Sequence, residues 1–278
     1  MKQLKQVSIG ISLILFVIIF FSCQSNRTEK GEIQTEDTAS SEGVIPAEQL
    51  PSPIEMAILI KQSGAKYNPE LPNDIKNLDQ YSTNAAKALN LGIYCADVGY
   101  STLFKQNQET MFFLNNCRKL SDGIGLTSAF DKSVFDRIEA NIDKRDSLLG
   151  IITEAYSTSS KFLKENDRYG TFMLMMAGGW VESMHIACTM AQENGLNADI
   201  ALKIAEQEIP LDKIIQSTEP FKDDNAIQVV QLDLISIQKI MKEGELTIKK
   251  GGDVQIDKKV LESVSGKIKE VRSVMVGA

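Results

Sequence analysis

One histidine, one tryptophan and four cysteines stand among 278 residues, and each scarcity removes a class of chemistry. With His185 alone, a di-iron centre built from two Glu-x-x-His turns cannot be assembled, because each turn must supply a histidine. A Ser-His-Asp or Cys-His hydrolase would have to draw on that same His185, and no G-x-S-x-G elbow accompanies it. No two cysteines share the C-x-x-C type spacing of a zinc site. No glycine loop matches a phosphate cradle; Gly123-Ile124-Gly125 reads as a helix stop and Gly251-Gly252 as a turn. Positive charge is scarce as well: the net charge of −7 becomes −9 once a leader carrying Lys2 and Lys5 is removed. Such a surface repels phosphate backbones and anionic headgroups, which argues against a nucleic-acid partner. Neither a metal nor a cofactor is expected.

What is present begins with an export signal. The basic stretch Met1–Lys5 is followed by an apolar run from Val7 to Phe21, of secretory length and too short for a comfortable span. The run ends at Ser22-Cys23, and Gln24-Ser25-Asn26 is abruptly polar. A small residue before a cysteine at such a boundary resembles the lipobox of bacterial lipoproteins, with Phe20 and Phe21 departing from the usual Leu and small residue. The resemblance implies a signal peptide over residues 1–22, diacylation of Cys23 (palmitate-type chains) and cleavage before it. An uncleaved N-terminal anchor is the alternative. Two acyl chains meet the two-signal condition for stable membrane attachment. Residues 24–50, rich in Ser, Thr, Glu and Gln with a net charge of −4, cannot bury enough surface to order themselves and read as a flexible tether. No acidic cluster follows Cys23 directly. Lipoproteins displayed on the Bacteroidetes cell surface carry one there, so an outer-membrane location facing the periplasm is favoured.

Residues 51–278 form a domain long enough for a single sizeable core. Their apolar residues recur with helical period. From Asp74 onward, Leu78, Tyr81, Ala85, Leu89, Ile93, Ala96, Tyr100 and Leu103 step by three or four. After a turn near Lys105 the pattern resumes through Met111, Leu114 and Cys117. Further stripes run through Val134–Ile142, Leu149–Leu163, Ile200–Ile204, Ile227–Met241 and Leu261–Met275, with Asp257 as an N-cap of the last. The fold class is all-α, an antiparallel multi-helix bundle. One exception is Thr247–Ile256, which alternates around Gly251-Gly252 as a short, exposed β-hairpin near the C-terminus. Two stretches, Leu91–Tyr100 and Tyr169–Ala191, are apolar almost all round and belong in the middle of the bundle. Gly178-Gly179 in the second predicts a close helix crossing.

The residues able to carry chemistry lie in those two helices. Asp97 is the only charged residue of the first, and Glu182 with His185, one turn apart, are the ionisable pair of the second. A buried carboxylate needs a hydrogen bond, a cation or a proton. Asp97, Glu182 and His185, with Tyr94, Tyr100 and Trp180, are therefore the candidate buried polar site. They either line a small pocket or fix the packing, and a two-carboxylate mechanism on Asp97 and Glu182 is conceivable. Among the cysteines, Cys95 and Cys117 flank the Lys105 turn at similar heights. They are the best-placed pair for a disulfide, although Cys95 falls beside the main apolar stripe.

The strings Ala88–Asp97, Glu165-Asn166-Asp167-Arg168 and Gly178-Gly179-Trp180-Val181-Glu182-Ser183 resemble a group of uncharacterised Bacteroidetes lipoproteins. The likeness spans most of the folded part and implies envelope localisation and helical structure, without an activity. Two functions follow as expectations. The first is a lipid-anchored envelope protein, held on the membrane through Cys23, whose bundle binds a protein partner or ligand or scaffolds an assembly. The second is an enzyme or ligand sensor using Asp97, Glu182 and His185.

Overall fold

The structure, a computed structural model, describes residues 53–62, 64–129, 133–193, 198–244, 247–250 and 253–277. The signal peptide, Cys23 and the tether lie outside the described residues, as does the Gly251-Gly252 turn. All described residues fall within one compact unit, Ser41–Ala278.

The unit is a helical bundle. Its helices are α1 (Pro53–Gln62), α2 (Asn84–Leu103), α3 (Asn107–Gly123), α4 (Ser133–Ala140), α5 (Arg145–Glu165), α6 (Tyr169–Glu193), α7 (Ala198–Ala205), α8 (Glu208–Thr218), α9 (Asn225–Gly244) and α10 (Lys258–Val276). Between α9 and α10 run two short strands, β1 (Thr247–Lys250) and β2 (Asp253–Ile256), paired antiparallel with Thr247 opposite Ile256. Asp257 caps α10 as its position suggests, accepting from Lys259 N and Val260 N. Gly277 closes the same helix in the left-handed conformation, at φ 72°.

The periodic stretch beginning at Asp74 is not one helix. Ile75–Gln80 is a 3-10 turn and α2 starts only at Asn84, because Thr83 turns its hydroxyl back onto Ala86 N and caps a new helix. An apolar period survives such a break, since it records which residues face the core and not whether the backbone bonds are continuous. Two shorter helices, α1 and α8, also carry no stripe of their own in the sequence reading.

Both all-apolar stretches are central. From Ala88 to Leu103 only Cys95 escapes full burial, and from Phe172 to Met184 every residue is buried. α2 and α6 cross closely enough that a Cβ on Gly178 would lie 2.1 Å from the Leu89 carbonyl oxygen. Gly92, not foreseen in this role, is its counterpart: a Cβ there would lie 1.9 Å from the Met175 carbonyl oxygen. Each glycine thus admits the backbone of the other helix, and any side chain would force the two apart. This crossing sets the height at which Asp97 of α2 and Glu182 of α6 face one another. Among the described residues, no helix is long and apolar enough to cross a membrane.

Candidate functional site

Asp97 and Glu182 are both completely buried, and what joins them is an arginine. Arg272 of α10 grips Glu182 with a two-pronged contact: Nη2 donates to Oε1 at 2.8 Å and Nε donates to Oε2. The planar fork of a guanidinium matches a carboxylate in this way, and a lysine could not reproduce it. Nη2 also reaches the Leu71 carbonyl oxygen at 3.3 Å. Burial works against the guanidinium's charge, but the Glu182 carboxylate more than offsets it, and the Arg272 pKa is raised.

Asp97 takes the opposite path. Its Oδ2 accepts from Asn73 N at 3.1 Å, whereas its Oδ1 accepts nothing. Burial first, and the Glu182 charge second, push its pKa well above the ordinary carboxylate range, against the pull of Arg272 and the Asn73 N–H. A hydrogen bond with Glu182 adds to the rise. Of the two buried carboxyl groups only Glu182 has the guanidinium against it, so burial weighs most heavily on Asp97.

His185 stands on the rim of this cluster. Its pKa is pushed down to about 4, chiefly by burial, with the Arg272 and Lys269 charges acting in the same direction. The Glu182 charge and a hydrogen bond to the Leu71 backbone oppose that shift. The ring is therefore neutral at neutral pH, and its Nδ1 has no partner.

The remaining partners converge on one irregular segment of the chain itself, residues 68–75, between α1 and the 3-10 turn. Tyr100 Oη accepts from Asn68 N at 2.9 Å, and Tyr94 Oη donates to the Asp74 carbonyl at 2.8 Å. Asn116 of α3 donates to the Ile75 carbonyl at 3.1 Å. With the Arg272–Leu71 and Asp97–Asn73 bonds, side chains from α2, α3 and α10 take up the segment's backbone groups one after another. Local bonds take up only part of this backbone, Leu71 N donating to the Asn68 carbonyl at 3.4 Å, and the buried Leu71 and Asn73 draw their partners from other elements. The Asn73 side chain continues the network, donating to Tyr81 Oη and accepting from Asn77 Nδ2, each at 2.9 Å. Asn90 bonds the carbonyls of Ala86 and Met275 at 2.9 and 2.8 Å.

Of the six candidate residues, then, Asp97 and Glu182 lie close enough for the Glu182 charge to act on Asp97, and it acts on His185 as well. Tyr94 and Tyr100 hold the same segment farther along. Trp180 does not join; its indole N–H is buried without a partner. Arg272, Asn73, Asn90, Tyr81 and Asn116 were not anticipated. A signal for Arg272 existed: it stands four residues after Ile268 and three before Met275, on the apolar face of α10.

Two cavities lie elsewhere, and neither is lined by Asp97, Glu182, His185, Tyr94, Tyr100 or Trp180. One, of about 350 Å³, is an open groove between the outer side of segment 69–75 and Glu109, Phe112 and Phe113 of α3. The other, of about 60 Å³, is almost wholly apolar and sits among α2, α3, α4, α5 and α6. Among the described residues no group of three or more His, Cys, Asp or Glu side chains could hold a metal ion. Compared with known proteins, the chain matches no family model, no curated protein and no solved structure.

Proposed function

We propose that the chain is a lipoprotein of the bacterial envelope, cleaved before Cys23 and held by acyl chains on the outer membrane, facing the periplasm. Its helical domain is a non-enzymatic module that binds a protein or ligand, or scaffolds an assembly. The observation that carries the non-enzymatic reading is where the buried polar atoms are directed. Asp97, Arg272, Tyr94, Tyr100 and Asn116 bond the chain's own residues 68–75, so the cluster serves as an internal clasp, and neither of the two cavities described above is lined by Asp97, Glu182 or His185. Support for the anchor comes from the Ser22-Cys23 boundary after an apolar run, and from the likeness to Bacteroidetes lipoproteins. The same reading takes β1 and β2 as one short β-hairpin.

A second reading, an enzyme or ligand sensor built on Asp97, Glu182 and His185, is favoured by one observation: the neutral His185 ring leaves Nδ1 unpartnered beside two acids.

Two measurements on cells decide between these. Metabolic labelling with a palmitate analogue should mark the wild-type protein, and Cys23→Ser should lose the label and either stay unprocessed or leave the membrane fraction. Label retained on Cys23→Ser overturns the anchor. Cross-linking in intact membranes should capture the same partner with wild type and with His185→Gln. Partner capture that vanishes with His185→Gln, in a protein of unchanged stability, favours the sensor.

A further inference from the structure

Cys95 and Cys117 face one another across α2 and α3 with their sulfurs 3.7 Å apart, and neither is bridged. The two helices run in opposite directions around the Lys105 turn. The hydroxyls of Ser101 and Thr110 already meet at 2.8 Å one rung closer to that turn. On the turn side of the thiols the two helices are therefore held in register. A disulfide has sulfurs at about 2.05 Å, so they must approach by about 1.7 Å.

Space for that approach is present. The small apolar cavity has both cysteines in its wall, together with Leu91, Leu114, Tyr156 and Met175. In a tightly packed core a rotating thiol would displace its neighbours; here it turns beside empty volume. Access is also asymmetric in a useful way. Cys95 is half-buried, the one residue between Ala88 and Leu103 that is not fully enclosed, whereas Cys117 is buried. Cys188 on α6 is fully buried and free.

We propose that Cys95 and Cys117 are an oxidisable dithiol that closes to a disulfide between α2 and α3 by exchange with a small-molecule or protein disulfide. In the first step the Cys95 thiolate attacks one sulfur of the oxidant, forming a mixed disulfide and releasing one thiolate. Cys117 then loses its proton and attacks Cys95 Sγ, forming the internal bond and expelling the second thiolate. Two protons and two electrons pass to the oxidant, which leaves as two thiols. Burial raises the Cys117 pKa, so the second step is the slow one. The bridge would join the helix carrying Asp97, Tyr94 and Tyr100 to the helix carrying Asn116, and these side chains hold segment 68–75. The chemistry is independent of the proposed function; only the source of the oxidant in the cell rests on export to an oxidising compartment.

The test uses the full chain, reduced and then equilibrated with graded ratios of oxidised to reduced glutathione. After acid quenching, free thiols are alkylated under denaturing conditions and the peptides mapped without reduction. The expected result is that Cys95 and Cys117 disappear together from the alkylated pool and reappear in one cross-linked peptide, while Cys188 stays alkylated throughout. Returning to reduced glutathione should restore both. Cys117→Ser should leave Cys95 as a mixed disulfide with glutathione, which captures the first step. Both cysteines remaining alkylated in the wild type at the most oxidising ratio would overturn the proposal. Accumulation of glutathione on wild-type Cys95 without a cross-link would overturn it equally.

Discussion

Asp97 and Cys95 stand two residues apart on α2, yet their surroundings differ in almost every physical respect. On the Asp97 side the space is filled with polar groups that answer one another: two carboxyl groups, a guanidinium, and the backbone of residues 68–75. On the Cys95 side lie an apolar cavity of about 60 Å³, two unbridged thiols and a buried Tyr156 hydroxyl with no hydrogen bond of acceptable geometry. The first region is over-determined, since removing one member strands several others. The second has slack. A void of that size costs on the order of 1 kcal/mol, and an orphaned hydroxyl about as much again. One helix can carry both because its two faces pack against different neighbours, and each neighbour sets its own cost for an error.

The sharpest way to break the contrast is Arg272→Ala. It leaves Glu182 buried without its counter-charge and strips the Leu71 carbonyl of a donor, so the domain should lose about 3–5 kcal/mol in urea unfolding. Arg272→Lys should recover little of it, because the ammonium cannot reproduce the two-pronged contact. A loss below about 1 kcal/mol would mean that the ion pair is solvated.

His185 gives a pH-dependent test. Its folded-state pKa of about 4 lies below the ordinary 6.5, so between those values the unfolded chain takes up a proton that the native ring refuses. Acid therefore favours unfolding in this window, and stability should fall by up to about 3 kcal/mol as the pH drops through it. His185→Gln should flatten that part of the profile, as followed by denaturant midpoints at pH 4 to 7.

Two tyrosines compare the regions directly. Tyr94→Phe removes one of the two donors to the Asp74 carbonyl, leaving the Asn77 N–H, and should cost about 1 kcal/mol, whereas Tyr156→Phe deletes an unpaired hydroxyl and should be neutral or slightly stabilising. Equal effects in thermal unfolding would erase the distinction between the two sides of α2.

The smallest effect is expected of Asp97→Asn. An amide can still accept from Asn73 N, so the change should be within about 1 kcal/mol of wild type at neutral pH. The sign is informative. Because the native pKa lies above 3.8, the native state keeps a proton that the unfolded state sheds, and this contribution to stability is lost as pH rises from 3.8 toward the native pKa. Asp97→Asn removes that decline and should be at least as stable as wild type at pH 8. A large loss there would show Asp97 to be ionised.

Much of this was legible beforehand, for a simple reason. Lone acids in otherwise apolar helices, as Asp97 and Glu182 are, must be buried, and buried acids must have partners. Gly178-Gly179 pointed to a close crossing because glycine in a helix interior is costly unless a backbone needs the room. The Cys95–Cys117 juxtaposition followed from comparable distances to the Lys105 turn. What did not follow is the identity of the partners. Arg272 lies 90 residues from Glu182, and nothing local to either says that they meet. The Asp74 stretch was misread for a related cause: a 3-10 turn and a helix can share one apolar period, and the Thr83 cap that divides them is a local hydrogen bond.

Local physics, then, is what the amino-acid order determined by itself: the apolar periods, the Asp257 cap, the small residues at the crossing, and the boundary at Cys23 expected from its flanking residues. Only the tertiary structure decided that the polar cluster clasps residues 68–75, that burial raises the Asp97 pKa while Glu182 takes the arginine, and that a void lies beside the two thiols. Those outcomes depend on which distant groups arrive at the same place and on how much water they exclude. Desolvation and long-range charge are properties of the assembled interior and of no single stretch of chain.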